Sequence, residues 1–249
     1  MSRSELFAVM VGGLATVAGS TMAGYVTLGV DLKFLIAASF MAAPGGLAIA
    51  KIVVPEKRGA RLVNNVDELS AADERPINLI DAAAKGATSG LMLAANVGAM
   101  LIAFIALIAL ANGVIGYMGS LIGVEGLSFE LILGYVFSPI AWLIGIPMHE
   151  AVQAGSYIGQ KLVLNEFVAY VNLLAHGSEL SEHTRAVVTF ALCGFANFSS
   201  IAILLGGLGS IAPQRRPEIA TLGVRALLAA SIANLMSAAF ASFFLLLGG

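Results

Sequence analysis

Long apolar runs are the feature that most restricts how this 249-residue chain can fold. Several of them exceed the roughly 20 residues that a helix needs to cross the hydrocarbon core of a membrane. No segment alternates between apolar and polar residues as the strands of a membrane barrel do. Hydrophobic residues make up 59% of the chain and charged residues 11%, against roughly 45–50% and about 25% in a soluble domain. The sequence therefore predicts an all-α polytopic membrane protein.

Polarity divides the chain into six segments with five full crossings. Residues 55–76 hold a concentration of charge and are predicted to form an aqueous loop, while residues 148–180 are too polar to span and suggest a re-entrant hairpin. The predicted segments are a broken transmembrane helix with the helix after it (1–54), a cytoplasmic loop (55–76), an amphipathic start with a transmembrane helix (77–126), an interfacial helix (127–147), the re-entrant hairpin (148–180), and a second broken transmembrane helix with a last transmembrane helix (181–249).

Positive charge is distributed unevenly between the two predicted sides of the membrane. If residues 55–76 face the cytoplasm, most Lys and Arg residues lie on that side, and the opposite side receives only Lys33 and Arg185, apart from charges inside the hairpin and the last helix. The positive-inside rule then orients the chain in a bacterial inner membrane. The N-terminus of the chain is predicted to be cytoplasmic and the C-terminus to lie outside.

Two apolar runs are interrupted in the same way. Residues 13–19 (GLATVAG) and 194–200 (GFANFSS) place small and polar residues where a spanning helix is expected to be continuous. Free backbone groups are tolerated in a membrane only where they line a cavity or are buried in protein, and paired interruptions in two halves of a chain point to a substrate and ion site. Under the predicted topology the two segments form an inverted repeat, with Thr16 and Asn197 in equivalent places. The alternative is that these residues only allow close packing of helices.

Glu166 is a carboxylate within the predicted hairpin, and ionisable residues at membrane depth are usually functional. If it faces a cavity together with Asn197 and Ser200, the set supplies acceptors and an amide that suit a neutral, polyhydroxylated ligand such as a sugar. The alternatives are that Glu166 reaches water from a shallow hairpin, or that it pairs with Lys161.

Other classes of function find little support in the sequence. His149 and Glu150 begin a zinc-protease pattern, but Gln153 stands where the second His is required. No cluster of Lys and Arg is large enough to follow a nucleic acid backbone. No pair of nucleophile and base suggests an intramembrane enzyme.

Residues 165–170 (NEFVAY), 191–200 (ALCGFANFSS) and 12–20 (GGLATVAGS) make the chain resemble the concentrative nucleoside transporter family, and the resemblance covers nearly all of it. It implies a scaffold domain that forms a homotrimer, and a transport domain of two hairpins and two broken helices that carries a nucleoside across the membrane. Residues 1–54 would belong to the transport domain, and the transmembrane helix of 77–126 to the scaffold.

The resemblance also implies roles for single residues. Glu166 and the pair Asn197 and Ser200 would hold the ribose, with Phe195 packing in the nucleoside pocket. The hydroxyl of Thr16 and the carbonyl of Val17 would form part of a sodium site. Thr16 alone leaves coupling to sodium or to protons open.

One departure from the family pattern concerns its first hairpin. That hairpin carries a Gly-Gln-Thr/Ser-Glu motif, which contacts the base and completes the sodium site, and it would precede Met1. The chain therefore looks like the C-terminal part of a transporter, apparently truncated at its N-terminus and expected to be inactive alone. The predicted function is cation-coupled nucleoside symport; the alternative is a non-transporting membrane assembly or regulatory subunit.

Overall fold

The structure is a computed structural model that describes residues 1–56 and 78–248, so most of the predicted cytoplasmic loop at 55–76 lies outside the described residues. Every regular element within these ranges is helical, which confirms the predicted all-α class. The helices are α1 (Arg3–Ala15), α2 (Gly19–Leu28), α3 (Leu32–Val53), α4 (Leu79–Leu121), α5 (Phe129–Leu143), α6 (Met148–Val163), α7 (Glu166–His176), α8 (Glu182–Leu192), α9 (Phe198–Ile211) and α10 (Arg216–Leu247), with 3₁₀ turns at Gly177–Glu179 and Pro213–Arg215.

Both interrupted runs are broken helices, as predicted. The break between α1 and α2 begins at Thr16, whose backbone is extended and whose hydroxyl donates to the carbonyl of Gly12 at 2.8 Å. The break between α8 and α9 contains Gly194 with a φ of +137°. The predicted equivalence of Thr16 and Asn197 is wrong, because Thr16 ends the first half-helix α1 whereas Asn197 begins the second half-helix α9. The residue that ends α8, and so corresponds to Thr16, is Cys193.

The helices α6 and α7 form the hairpin predicted at 148–180. They are joined by the two residues Leu164 and Asn165, so the tip of the hairpin is short. At the start of the hairpin, the chain bends by 115° between α5 and α6. These two helices pack so closely that a Cβ at Gly155 would lie 2.7 Å from the backbone nitrogen of Ser138. The predicted interfacial helix at 127–147 therefore corresponds to α5, which packs against the first arm of the hairpin, α6.

The lengths of the helices can be compared with the five predicted crossings. In the described ranges, Arg3–Leu28, Leu32–Val53 and Pro213–Leu247 are long and apolar enough to cross a membrane, and the bent pair α5 and α6 would make a fourth. α8 and α9 are each too short to cross alone. α4 is one continuous helix of 43 residues, which is long enough to cross a membrane.

Large apolar side chains cover much of the outer surface as well as the interior. Phe40, Ile52 and Ile102 each expose at least three quarters of their surface, at 77%, 75% and 75%. Inside, α10 packs against both α1 and α8 and so lies between the first halves of the two broken helices. An apolar exterior around a packed helical core is the arrangement expected of a protein surrounded by lipid.

Candidate functional site

The tip of the hairpin places a carboxylate at the start of a helix. Asn165 is the N-cap of α7, and its side chain accepts a hydrogen bond from the backbone N–H of Val168 at 2.9 Å. Glu166 is the first residue of α7 and exposes only 6% of its surface. A negative charge is favourable at this end of a helix because the helix dipole is positive there. The alternative in which Glu166 reaches water from a shallow hairpin does not agree with this burial.

The carboxylate of Glu166 is bonded to both broken helices. Its Oε1 accepts from the hydroxyl of Tyr25 on α2 at 2.9 Å, and its Oε2 accepts from Nδ2 of Asn197 at 2.8 Å. A buried carboxylate is costly unless it receives hydrogen bonds, and these two donors supply them. The tip of the hairpin is thereby joined to the second half of each broken helix.

Asn197 is held in one orientation by its role as the N-cap of α9. Its Oδ1 accepts from the backbone N–H of Ser200 at 2.9 Å, from the hydroxyl of Ser200 at 2.9 Å and from the hydroxyl of Ser199 at 2.6 Å. The amide oxygen therefore faces the helix, which leaves the amide nitrogen to face Glu166. The structure thus brings together three of the predicted site residues, namely Glu166, Asn197 and Ser200.

The remaining predicted site residues lie in the breaks themselves. Phe195 is partly buried between α8 and α9, and its carbonyl accepts from the backbone N–H of Asn197 at 2.9 Å. Val17 is partly buried and packs against a cluster of buried residues that includes Tyr25 and Tyr170. Within the described part of the chain, the carbonyl oxygens of Thr16 and Val17 accept no hydrogen bond, and no hydrogen bond joins these two residues to Glu166.

A second polar group connects the first halves of the broken helices. The ammonium group of Lys161 on α6 donates to the carbonyl of Ala191 and to Oδ1 of Asn234, each at 2.8 Å. Nδ2 of Asn234 then donates to the carbonyl of Ala15 at 2.8 Å. Lys161 therefore does not form the ion pair with Glu166 that the sequence left open, because its hydrogen bonds go to the Ala191 carbonyl near the end of α8 and to the Asn234 side chain on α10.

Sequence reasoning missed Tyr25 and Asn234, and it gave Lys161 no role of its own. Asn234 lies within the apolar run of α10 and is 1% exposed. Because a polar residue is energetically costly at membrane depth, its position alone could have marked it as a candidate. Tyr25 offers a weaker signal, because tyrosine is common near membrane interfaces for reasons unrelated to ligands.

A cavity of about 360 Å³ lies beside the second arm of the hairpin, away from Glu166. It is lined by charges of both signs, among them Asp31 and Arg185. Asp31 lies in the turn between α2 and α3, where hydrogen bonding to Lys33 lowers the pKa of its carboxyl group. The carboxyl group of Asp31 therefore stays ionised at neutral pH. This mixed charge gives the cavity no preference for an anionic or a cationic ligand.

Comparison with protein families gives a match over most of the chain. Residues 34–242 match the family model described as Na⁺ dependent nucleoside transporter C-terminus. The chain belongs to this family. The match confirms the family that the sequence resembles. It also confirms that the chain corresponds to the C-terminal portion of that family. The chain is therefore a multi-pass membrane protein of a transporter family and not an enzyme.

Named relatives of this transporter family member occur in bacteria and in mammals. The uncharacterized transporter YutK of Bacillus subtilis is 58% identical and is matched over 98% of the chain and 60% of its own length. The nucleoside permease NupC of Helicobacter pylori is 48% identical, over 98% and 59%. The sodium/nucleoside cotransporter 1 of Homo sapiens is 40% identical, over 97% and 39%. The chain thus spans about 60% of the length of these bacterial family members.

Solved structures of CNTnw share the fold. CNTnw in an inward-facing substrate-bound state is 53% identical, with a TM-score of 0.92 over 100% of this chain and 59% of that chain. A variant of CNTnw in an intermediate state is 55% identical, with a TM-score of 0.95 over 100% and 60%. This chain thus shares the fold of the matching part of CNTnw.

Proposed function

We propose that this chain forms the C-terminal part of a cation-coupled nucleoside symporter. Relatives bear the names nucleoside permease and sodium/nucleoside cotransporter, and the similar CNTnw structure is described as substrate-bound. The observation that carries the proposal is the buried carboxylate of Glu166, which is bonded to Tyr25 and Asn197 on the two broken helices. Polar groups at the meeting point of broken helices are a common construction for substrate sites in transporters.

In the proposed site, Glu166 and Asn197 bind the ribose hydroxyls. A carboxylate accepts hydrogen bonds from hydroxyl groups, and an amide can donate and accept. Ser200 holds the amide of Asn197 in position through its backbone N–H and its hydroxyl, so its role is to orient Asn197. Phe195 contributes an apolar surface for the nucleoside from the adjoining break.

The coupling cation is proposed to bind at the break between α1 and α2. The free carbonyl of Val17 and the hydroxyl of Thr16 offer oxygen ligands there, and the end of α1 contributes the negative end of a helix dipole. Unwound carbonyls and half-helix ends coordinate sodium in other transporters. Sodium is the favoured ion, because the break offers neutral oxygens, whereas a proton site requires a group that titrates.

The proposed assembly is a homotrimer in a bacterial inner membrane, with the N-terminus of this chain in the cytoplasm and its C-terminus outside. The N-terminal part of the full-length transporter would supply a first hairpin and further scaffold helices. This chain alone is proposed to lack transport activity, because it spans only about 60% of its bacterial relatives.

The test is uptake of radiolabelled uridine by the full-length transporter that carries this chain, with Glu166→Gln compared with Glu125→Gln. Glu125 lies exposed in the turn between α4 and α5, so its substitution controls for the loss of one acidic side chain. Removing a charged acceptor costs about 1.5–3 kcal/mol per hydrogen bond, so Glu166→Gln is expected to reduce uptake by roughly tenfold to a hundredfold. Unchanged uptake in Glu166→Gln would refute the site.

A further inference from the structure

Lys161 is a buried cation that contacts oxygens other than carboxylates. It lies in the last turn of α6, exposes 4% of its surface, and donates to the Ala191 carbonyl and to Oδ1 of Asn234. Within the described ranges, no carboxylate lies at ion-pair distance from its ammonium group. A buried charge without a direct ion pair is costly, so its presence needs an explanation other than filling space.

This ammonium group is connected to the ends of two helices, directly to α8 through the Ala191 carbonyl and indirectly to α1 through Asn234. Ala191 is the last but one residue of α8, and Ala15 is the last residue of α1. The final carbonyls of a helix lack partners within the helix and carry about half a negative charge. The two ends lie in contact, since a Cβ at Gly194 would lie 2.6 Å from the carbonyl oxygen of Ala15. Two negative helix ends that meet in a buried place repel each other unless a positive charge lies between them.

We propose that Lys161 serves as a tethered cation that holds the two helix breaks together. Its ammonium group occupies the place that a small bound cation would take, directly at the end of α8, and Asn234 relays the interaction to the end of α1. Lys161 is thus a positioning residue, which supplies a positively charged hydrogen-bond donor at this point. This role is independent of which substrate the transporter carries.

The first experiment separates the charge of Lys161 from its volume. In the purified chain, Lys161→Met keeps an unbranched side chain without the charge, Lys161→Arg keeps a charge, and Lys33→Met removes an exposed lysine that pairs with Asp31. Thermal unfolding in detergent is expected to shift down by roughly 5–15 °C in Lys161→Met. Lys161→Arg is expected to lose less, and Lys33→Met to match the parent. Equal midpoints for Lys161→Met and the parent would overturn the proposal.

The second experiment uses Cys193, the single cysteine of the chain, as a reporter at the break. Its thiol is 1% exposed, so a maleimide is expected to label it slowly in the parent and at least several-fold faster in Lys161→Ala, which opens the break. Lys161→Ala also leaves room for an amine, so n-butylammonium is expected to restore slow labelling. Tetramethylammonium, which has no N–H to donate, is expected to have no effect.

The outcomes of the amine experiment decide the proposal. Restoration by n-butylammonium alone supports an ammonium site. Equal restoration by both amines, or by neither, refutes it. If Lys161→Met and Lys161→Ala do not accumulate as folded protein, Lys161→Arg decides instead: slow labelling of Cys193 supports the proposal, and fast labelling refutes it. None of these measurements uses transport, so their failure is separate from failure of the proposed function.

Discussion

At the level of a single residue, Gly194 determines how closely the two broken helices approach each other. Its φ of +137° lies in a region that residues with a side chain rarely adopt. A Cβ placed there would lie 2.6 Å from the carbonyl oxygen of Ala15 and 2.6 Å from Oδ1 of Asn234. The contact between the breaks therefore requires both the unusual backbone conformation of glycine and its lack of a side chain.

Gly194→Ala is expected to lower the free energy of unfolding by about 2–4 kcal/mol, because backbone strain and the steric clash both act against it. Gly206→Ala is the matched control, since Gly206 lies within α9 and a Cβ there meets nothing within 4 Å. That variant is expected to be unchanged or stabilised by up to about 1 kcal/mol. The measurement is the unfolding of each variant in detergent, monitored through the labelling of Cys193. Similar stabilities for the two variants would contradict this explanation.

At the level of an element, the start of α8 is fixed by a side chain from the hairpin. Glu150, in the first turn of α6, accepts hydrogen bonds from the backbone N–H of Ser181 at 2.8 Å and from the hydroxyls of Ser181 at 2.9 Å and of Thr184. A carboxylate at a helix N-terminus satisfies free N–H groups and complements the dipole. Glu150, which by sequence belonged to an incomplete zinc pattern, therefore anchors the base of the hairpin to α8.

Glu150→Ala is expected to destabilise the start of α8 by about 2–3 kcal/mol, since three hydrogen bonds to one charged group are lost. Hydrogen–deuterium exchange is the appropriate measurement, because it reports the opening of individual helix turns. Exchange is expected to increase in the first turn of α8 and to remain unchanged in α10. His149→Ala is the control, because His149 is the exposed neighbour of Glu150. An equal increase in His149→Ala would exclude the anchor.

The sequence was sufficient to predict which elements exist but not how they meet. Small residues marked both breaks, and the polar residues of 148–180 marked the hairpin, because these features are local. The sequence does not determine the residue at which each helix ends. Gly13 and Gly194 begin the two similar segments, yet Gly13 lies inside α1 and Gly194 lies in the break. The contact of Tyr25 with Glu166 spans 141 residues of sequence. No local pattern encodes such a pairing, since it depends on how distant helices pack.

At the level of the whole molecule, the proposed transporter would need more than these helices. The chain spans about 60% of the length of its bacterial relatives, and the proposal assigns the described polar groups around Glu166 to the ribose. The arrangement described here supplies acceptors for hydroxyl groups and oxygens for a cation. Recognition of the base is therefore proposed to come from the N-terminal part of the full-length transporter.

Liposomes that contain only this chain are expected to show no sodium-dependent uptake of uridine above protein-free liposomes. A chimera in which the chain replaces the matching segment of the Helicobacter pylori permease is expected to restore uptake, because that segment is 48% identical. The matched control is the same chimera with Glu166→Gln, which keeps the length but loses the proposed ribose contact. Robust uptake by the chain alone would contradict the proposed division of the site.

The pairing of Glu166 with Tyr25 and Asn197 determines what a ligand in the proposed site can do to the helices around it. Each carboxylate oxygen accepts one hydrogen bond and keeps a further lone pair, so ribose hydroxyls can either add to these bonds or replace the donors on α2 and α9. The vicinal 2′- and 3′-hydroxyls of ribose can donate to both oxygens at once, whereas a 2′-deoxyribose lacks one of the two. Where the hydroxyls replace the donors, discrimination between the two sugars would coincide with release of the hairpin tip from both half-helices.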